Sequence, residues 1–256
     1  MLFDSPHAAV ASPAHEMPMD EALHVLASHR VYFAHQSVGD DIIGGAQAIL
    51  REHPDATIRV VETREPARIN GPAFMHFHVG TNEAPHSKND DLLTVLDSRA
   101  HRDSAIVLMK YCYIDVNRDT DAAQLFRGYR ALVDSVRTRH PDLRIVHATI
   151  PLTIDASGIV PGLKRLLGRT TARELNATRN AFNEMLRREF ASEPIFDIAA
   201  LESTRNTDFT SSTPGESAVP SLQPEYTTDG GHLNEQGARR LAEHLFRVLA
   251  ATAEAR

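Results

Sequence analysis

The sequence predicts an α/β protein, a three-layer α/β/α sandwich built on a central parallel sheet of five strands. Two observations carry this. Short apolar, β-branched runs alternate with segments whose apolar residues recur at helical spacing, and the apolar runs are hydrophobic at consecutive positions, as strands covered on both faces must be. A third observation is scale: 256 residues, 42% of them hydrophobic and 24% charged, suffice for one large core. The alternation neither breaks nor repeats, so residues 20–256 read as one domain behind a loosely ordered segment, 1–19, rich in proline, histidine and alanine.

In chain order, Asp20 to Ser28 is a short amphipathic helix and Val31-Tyr32-Phe33-Ala34 the first strand. Asp40 to Arg51 places Ile42, Ile43, Ala46, Ile49 and Leu50 on one helical face. Thr57 to Val61 is a β-branched second strand. Asp90 to Leu96 is helical, and Ala105 to Met109 is a buried third strand. Asp121 to Arg139 is a long helix with Leu125, Tyr129, Leu132, Val133 and Val136 facing inward, and Arg144 to Ile150 is the fourth strand. Thr171 to Phe190 is a helix ended before Pro194, and Ile195 to Ile198 is a short fifth strand. The last helix starts at Leu233 with Asn234 as its N-cap. Glu62 to Ser87 and Arg205 to Thr228 read as irregular loops, and loops of that length commonly shape binding sites.

Composition excludes several functions. A net charge of −7 argues against a nucleic-acid partner, and no run of 18 apolar residues offers a membrane span. One cysteine, Cys112, rules out an intrachain disulfide or a multi-cysteine zinc site. The first residues lack the basic and apolar regions of a signal peptide, so the chain reads as soluble, either cytoplasmic or exported without its leader.

In an open parallel sheet, ligands sit beyond the carboxyl ends of the strands. His35-Gln36-Ser37-Val38-Gly39 follows the first strand and runs into a helix, and Asp229-Gly230-Gly231-His232-Leu233 precedes the last helix. A serine at such a turn lies beside helix-start N–H groups that can hold an oxyanion. It needs a base, which His232 can supply, and Asp229 can fix the imidazole tautomer. The order Ser, Asp, His suits an α/β hydrolytic scaffold.

These residues resemble the SGNH/GDSL hydrolases. Asp229-Gly230-Gly231-His232-Leu233-Asn234 followed by Gly237 is similar to that superfamily's Asp-x-x-His block, and Ser37-Val38-Gly39 lies where its serine block lies. Ala148 to Pro151, Arg179, Asn183 and Phe196-Asp197-Ile198 are similar in kind, and the likeness spans roughly residues 30–250. It implies a flavodoxin-like SGNH fold, Ser37 as nucleophile, His232 as general base, Asp229 as its orienting carboxylate and Gly80 as an oxyanion donor. The chain departs from the pattern in two places. His35-Gln36 precedes the serine where Gly-Asp is usual, and Lys110-Tyr111-Cys112-Tyr113-Ile114-Asp115 stands in place of Gly-x-Asn-Asp. The third oxyanion donor is then Asn82 or Asn117.

The resemblance implies a cofactor-independent esterase acting on a small-molecule or glycan ester, with a carbohydrate O-acetyl ester as the expected substrate. The alternatives are an O-acyltransferase using the same acyl-enzyme, a non-catalytic binding protein of this fold and, behind both, a metal-dependent hydrolase using His76 and His78. Other residues have blander readings beside functional ones. Ser37 alone reads as a helix cap. His76 and His78, with His86 and Asp115 nearby, have metal-ligand spacing, but packing or substrate contact is the preferred reading and no metal site is expected. His35 either lines the pocket or packs as a neutral ring. Tyr111 and Tyr113 read as pocket wall, Cys112 as an inert buried thiol, and Asp119 and Asp121 as helix caps, with Asp115 left at the pocket.

Overall fold

A computed structural model describes residues 17–99, 105–155, 170–204 and 219–255. Its sheet has six strands, all parallel: β1 (Arg30–His35), β2 (Val60–Glu62), β3 (Ala73–His78), β4 (Ala105–Met109), β5 (Leu143–Ala148) and β6 (Ile195–Phe196). Their order is β2-β3-β1-β4-β5-β6. The helices are α1 (Met19–Leu26), α2 (Val38–Glu52), α3 (Pro85–Asp97), α4 (Ala122–Arg139), α5 (Ala172–Glu189), α6 (Ile198–Ser203) and α7 (Glu235–Glu254).

β1 and β4 are buried at every position because helices cover both faces of the sheet. Successive side chains alternate between those faces. Val31 and Phe33 join a core with α1, α2, α6 and α7. Tyr32 and Ala34 join a second core with α3, α4 and α5. Each large apolar side chain so buried contributes roughly 1.5–3 kcal/mol. The α2–α7 contact is close: a Cβ on Gly45 would lie 2.4 Å from the Ala238 carbonyl oxygen. Side chains define the helix starts. Asp121 accepts from the Ala123 and Gln124 N–H groups ahead of α4, Thr171 and Glu174 form a capping box on α5, and Asn234 caps α7 through the Gly237 N–H.

The three-layer parallel architecture matches the expectation, and the strand count corrects it from five to six. β3 lies inside the segment read as an irregular loop. Its sequence, Ala-Phe-Met-His-Phe-His, ends in two histidines that interrupt the apolar run, yet His76 is buried in the sheet. The second strand forms at Val60–Glu62 instead of 57–61, as a partly exposed edge. The final strand stops at Phe196, because Asp197 accepts the Ala200 N–H and starts α6 at Ile198. α3 begins at Pro85, five residues before Asp90, proline being well suited to a first helical position. Of the segment expected to be loose, residues 1–16 lie outside the described residues, whereas Met19 begins α1 and the Met17 carbonyl accepts from Arg247. Residues 205–218 of the second long loop also lie outside them. No helix among the described residues is long and apolar enough to cross a membrane.

Candidate active site

β1 has β3 on one side and β4 on the other, so the strand order reverses around it, and in a parallel sheet the carboxyl end of such a strand is where ligands bind. Ser37 sits there, between β1 and α2. Its backbone has φ 52° and ψ −105°, a conformation that costs a non-glycine residue about 1–3 kcal/mol. Its carbonyl accepts the Asp40 N–H at 2.6 Å, which locks the turn into the helix start. Ser37 occupies the N-cap position, but its hydroxyl makes no cap bond. Ser37 Oγ instead lies 2.5 Å from His232 Nε2.

The other ring nitrogen, Nδ1, lies 2.6 Å from Asp229 Oδ2. A carboxylate can only accept, so Nδ1 carries the proton and Nε2 presents its lone pair to the serine hydroxyl. Asp229 Oδ1 also accepts the Gly231 and His232 N–H groups, at 2.9 and 2.8 Å. The His232 side chain, followed by these two N–H groups, holds the Asp229 carboxyl well below the usual carboxylate range. Thr227 Oγ donates to the His232 carbonyl at 2.5 Å and accepts the Gly230 N–H at 2.9 Å, closing the loop onto itself.

The structure separates the remaining expected site residues. Tyr113 lies at the site: its ring meets the His232 imidazole edge-on at 5.8 Å. Burial and the nearby Asp229 push its phenol upward. Arg179, buried and lowered to about 10 by that burial, donates to the Tyr113 carbonyl through Nε and Nη2 and so fixes this wall. Tyr111 is a correction. It is buried against Tyr129 and Phe182 and donates to Asn89 at 2.6 Å, which makes it core and not pocket wall.

Asp115 and Asn82 serve the frame. Asp115 is buried against Lys88, whose Nζ also donates to Asn82 Oδ1 at 3.1 Å. Asp115 further accepts the Cys112 and Glu83 N–H groups, tying the loop after β3 to the turn after β4. Gly80 follows β3, but its N–H donates to Asp91 Oδ2 at 2.7 Å. The expected oxyanion donor therefore already has an acceptor. Asn117 closes an exposed turn by accepting the Asp119 N–H. Ser37 N–H, by contrast, makes no hydrogen bond among the described residues. Asp121 caps α4, whereas Asp119 pairs with Arg118 at the surface instead of capping.

His35 takes the packed position. It is wholly buried, its Nε2 lies 3.1 Å from His76 Nδ1, and burial, with the nearby Lys110 charge, pushes its pKa down to about 2. The grouping of His76, His78, His86 and Asp115 does not form. His76 turns to His35, His86 lies against Gly128 of α4, and Asp115 is held by Lys88. Cys112 is buried, with Lys110 Nζ 3.5 Å from its sulfur.

Two contributors escaped the sequence. Asp41 accepts the Leu233 N–H at 3.0 Å, joining α2 to the histidine loop, and Thr227 braces that loop. An acidic residue in a first helical turn reads by default as dipole complement, so Asp41 gave no separate signal.

Six parallel strands between two helical layers form a fold that this chain shares with solved SGNH/GDSL hydrolase structures. A protein from Slackia heliotrinireducens assigned to the SGNH hydrolases matches with a TM-score of 0.52 at 12% identity, over 86% of this chain and 97% of that one. The acetyl xylan esterase AlAXEase matches at 0.49 and 16% identity, over 84% and 97%. The C-terminal domain of Drosophila Oskar matches at 0.45 and 12%, over 89% and 95%. No family model and no curated protein matches the sequence.

Proposed function

We propose that this protein is a serine esterase that cleaves carboxylic esters through an acyl-enzyme, with a carbohydrate O-acetyl ester as substrate. The observation that carries the reading is the continuous hydrogen-bonded chain from Ser37 Oγ through His232 to Asp229, at 2.5 and 2.6 Å. Serine hydroxyls are weak nucleophiles until a base removes their proton, and this arrangement supplies base and orienting carboxylate together.

In the reaction, His232 Nε2 takes the Ser37 proton as Oγ bonds to the ester carbonyl carbon. The carbonyl π electrons move to oxygen, and the Ser37 N–H is the donor available to that oxyanion. Collapse expels the alcohol, which receives the proton from His232. Water then attacks the acyl-enzyme by the same route in reverse, releasing acid and free Ser37. Asp229 stays ionised and stabilises the imidazolium formed in each half. With Gly80 N–H held by Asp91, one donor is absent, and such a loss typically costs about 10²–10³-fold in turnover.

The surroundings favour a hydrophilic substrate. The His232 and Asp229 side chains are 43% and 54% exposed, and Asp40 and His78, paired at 2.8 Å beside the turn that carries Ser37, are exposed polar residues. The test compares acetate release from an acetylated xylo-oligosaccharide with hydrolysis of short- and long-chain p-nitrophenyl esters. Release from the sugar and from p-nitrophenyl acetate, with little turnover of the long chain, is expected; preference for the long chain rejects the substrate class.

A second reading, a binding protein of this fold, is favoured by the occupied Gly80 N–H. It predicts no turnover of any ester. Transfer of acetyl to an added sugar in preference to water would identify an O-acyltransferase.

A further inference from the structure

Parallel pairing of β1 with β3 sets Phe33 opposite His76 and His35 opposite His78. All four side chains therefore point to the α2 face of the sheet. Asp40, in the first turn of α2, hangs over the end of this column. His78 Nε2 lies 2.8 Å from Asp40 Oδ1, and His35 Nδ1 lies 3.8 Å from that same oxygen. The ligand atoms of His35, Asp40 and His78 all fall within 4.8 Å of one another.

His35 Nδ1 is the informative atom. The ring is wholly buried, yet Nδ1 has no hydrogen-bond partner. At 3.8 Å the carboxylate is too distant to accept a proton from it. If His35 Nε2 donates to His76 Nδ1, then the buried Nδ1 aims a bare lone pair at the half-exposed Asp40 carboxylate, an unfavourable opposition. If the proton sits on Nδ1, a buried donor is stranded, which costs about 1–3 kcal/mol. A cation between the three groups removes the first problem. Ligands about 2.0–2.2 Å from a tetrahedral ion lie about 3.4 Å from each other, between the 2.8 and 3.8 Å that separate Asp40 Oδ1 from the two imidazoles.

We propose that His35 Nδ1, His78 Nε2 and Asp40 form a binding site for a divalent cation of the zinc class. Two imidazoles and one carboxylate are a donor set that suits Zn²⁺ and not Mg²⁺ or Ca²⁺. Burial keeps His35 in the neutral form a metal requires. His76 takes the outer role, accepting the Nε2 proton of His35 and orienting its ring. Gly39 is what lets the ring sit under α2: a Cβ there would lie 2.3 Å from the His35 Cβ and 2.6 Å from Nδ1. The buried Lys110 charge acts on His35 and also on Asp41, and Asp40 supplies the negative charge facing the ion.

The ligands come from the ends of β1 and β3 and from the first turn of α2. The Asp40 N–H bonds the Ser37 carbonyl, so an ion here clamps the turn that carries the serine without touching it. This differs from the grouping the sequence suggested, because His86 and Asp115 are committed elsewhere and His35 enters in their place.

The test uses the full chain stripped with chelator and titrated with Zn²⁺ by calorimetry, and with Co²⁺ by visible absorption. The expected result is one tight equivalent, tetrahedral-type Co²⁺ absorption and a raised thermal midpoint. His78→Ala and Asp40→Asn, both changes at exposed positions, should lose that equivalent or bind at least 100-fold more weakly. His76→Ala should weaken binding about 10–100-fold. His24→Ala, on the exposed face of α1, should bind like the parent. Absence of a tight equivalent in the parent, or its persistence in both His78→Ala and Asp40→Asn, overturns the proposal.

Discussion

Asp41 Oδ2 accepts the Leu233 N–H at 3.0 Å, bonding the first turn of α2 to the residue that follows His232. Ser37 and His232 lie 195 positions apart in the chain, and this bond holds their two segments together beside the pair itself. Burial raises the Asp41 pKa, so its value lies in the acceptor oxygen more than in the charge. Asp41→Asn should keep esterase turnover within a few-fold, since an amide oxygen can accept the same N–H. Asp41→Ala should lower it about tenfold, as expected for one hydrogen bond of roughly 1–1.5 kcal/mol. Steady-state kinetics on both variants separates the readings, and equal losses would assign the effect to charge.

Asp229→Asn should remove about 10⁴-fold of turnover while leaving the fold intact. The amide oxygen can still accept the Gly231 and His232 N–H groups that shape the loop. The amide nitrogen would then face His232 Nδ1, favouring the tautomer with its proton on Nε2, where the base should be free. Unchanged circular dichroism with collapsed kcat is the expected pattern; a small effect would mean that His232 is oriented by other groups.

The Ser37 backbone predicts an exchange of activity for stability. At φ 52° and ψ −105° the Cβ is strained, and glycine has none. Ser37→Ala keeps the strain and Ser37→Gly relieves it. The glycine variant should be the more stable of the two by about 1–2 kcal/mol in denaturant unfolding, with both inactive. Equal stability would show that the turn is not strained.

Acid should weaken the fold beginning near the ordinary histidine pKa. His35 titrates near 6.5 when unfolded but is held to about 2 when folded, so between these values the unfolded chain binds the extra proton. Stability is therefore complete above pH 6.5 and falls below it by about 1.4 kcal/mol per pH unit for this residue. Burial lowers His76 and His147 in the same direction and steepens the decline. Urea midpoints measured with chelator from pH 7.5 to 5 should drop, and His35→Gln should flatten the slope. A flat parent profile would contradict the burial account.

Residues whose roles are local were the legible ones. β1 and β4 announce themselves because short runs of consecutive apolar residues suit a strand covered on both faces. Asp229 and His232 were readable because carboxylate, turn and imidazole lie within four consecutive residues. β3 was hidden because His76 and His78 look polar until His35, opposite on β1, provides a partner for the first. Gly80 misled for a related reason: its N–H is taken by Asp91, eleven residues later on α3, and no local pattern reveals that bond. Asp115 reads as a site acid but is neutralised by Lys88, brought to it only by the packing of α3 against the turn after β4. Long-range partners thus decided the cases that spacing left open.

The central claim is that Ser37 is the nucleophile, and it has a direct measurement. The native protein should be labelled by a fluorophosphonate probe, with the adduct mapping by mass spectrometry to the peptide containing Ser37. Ser37→Ala should lose both labelling and p-nitrophenyl acetate hydrolysis, by at least about 10³-fold. Labelling and turnover that survive in Ser37→Ala would contradict the assignment.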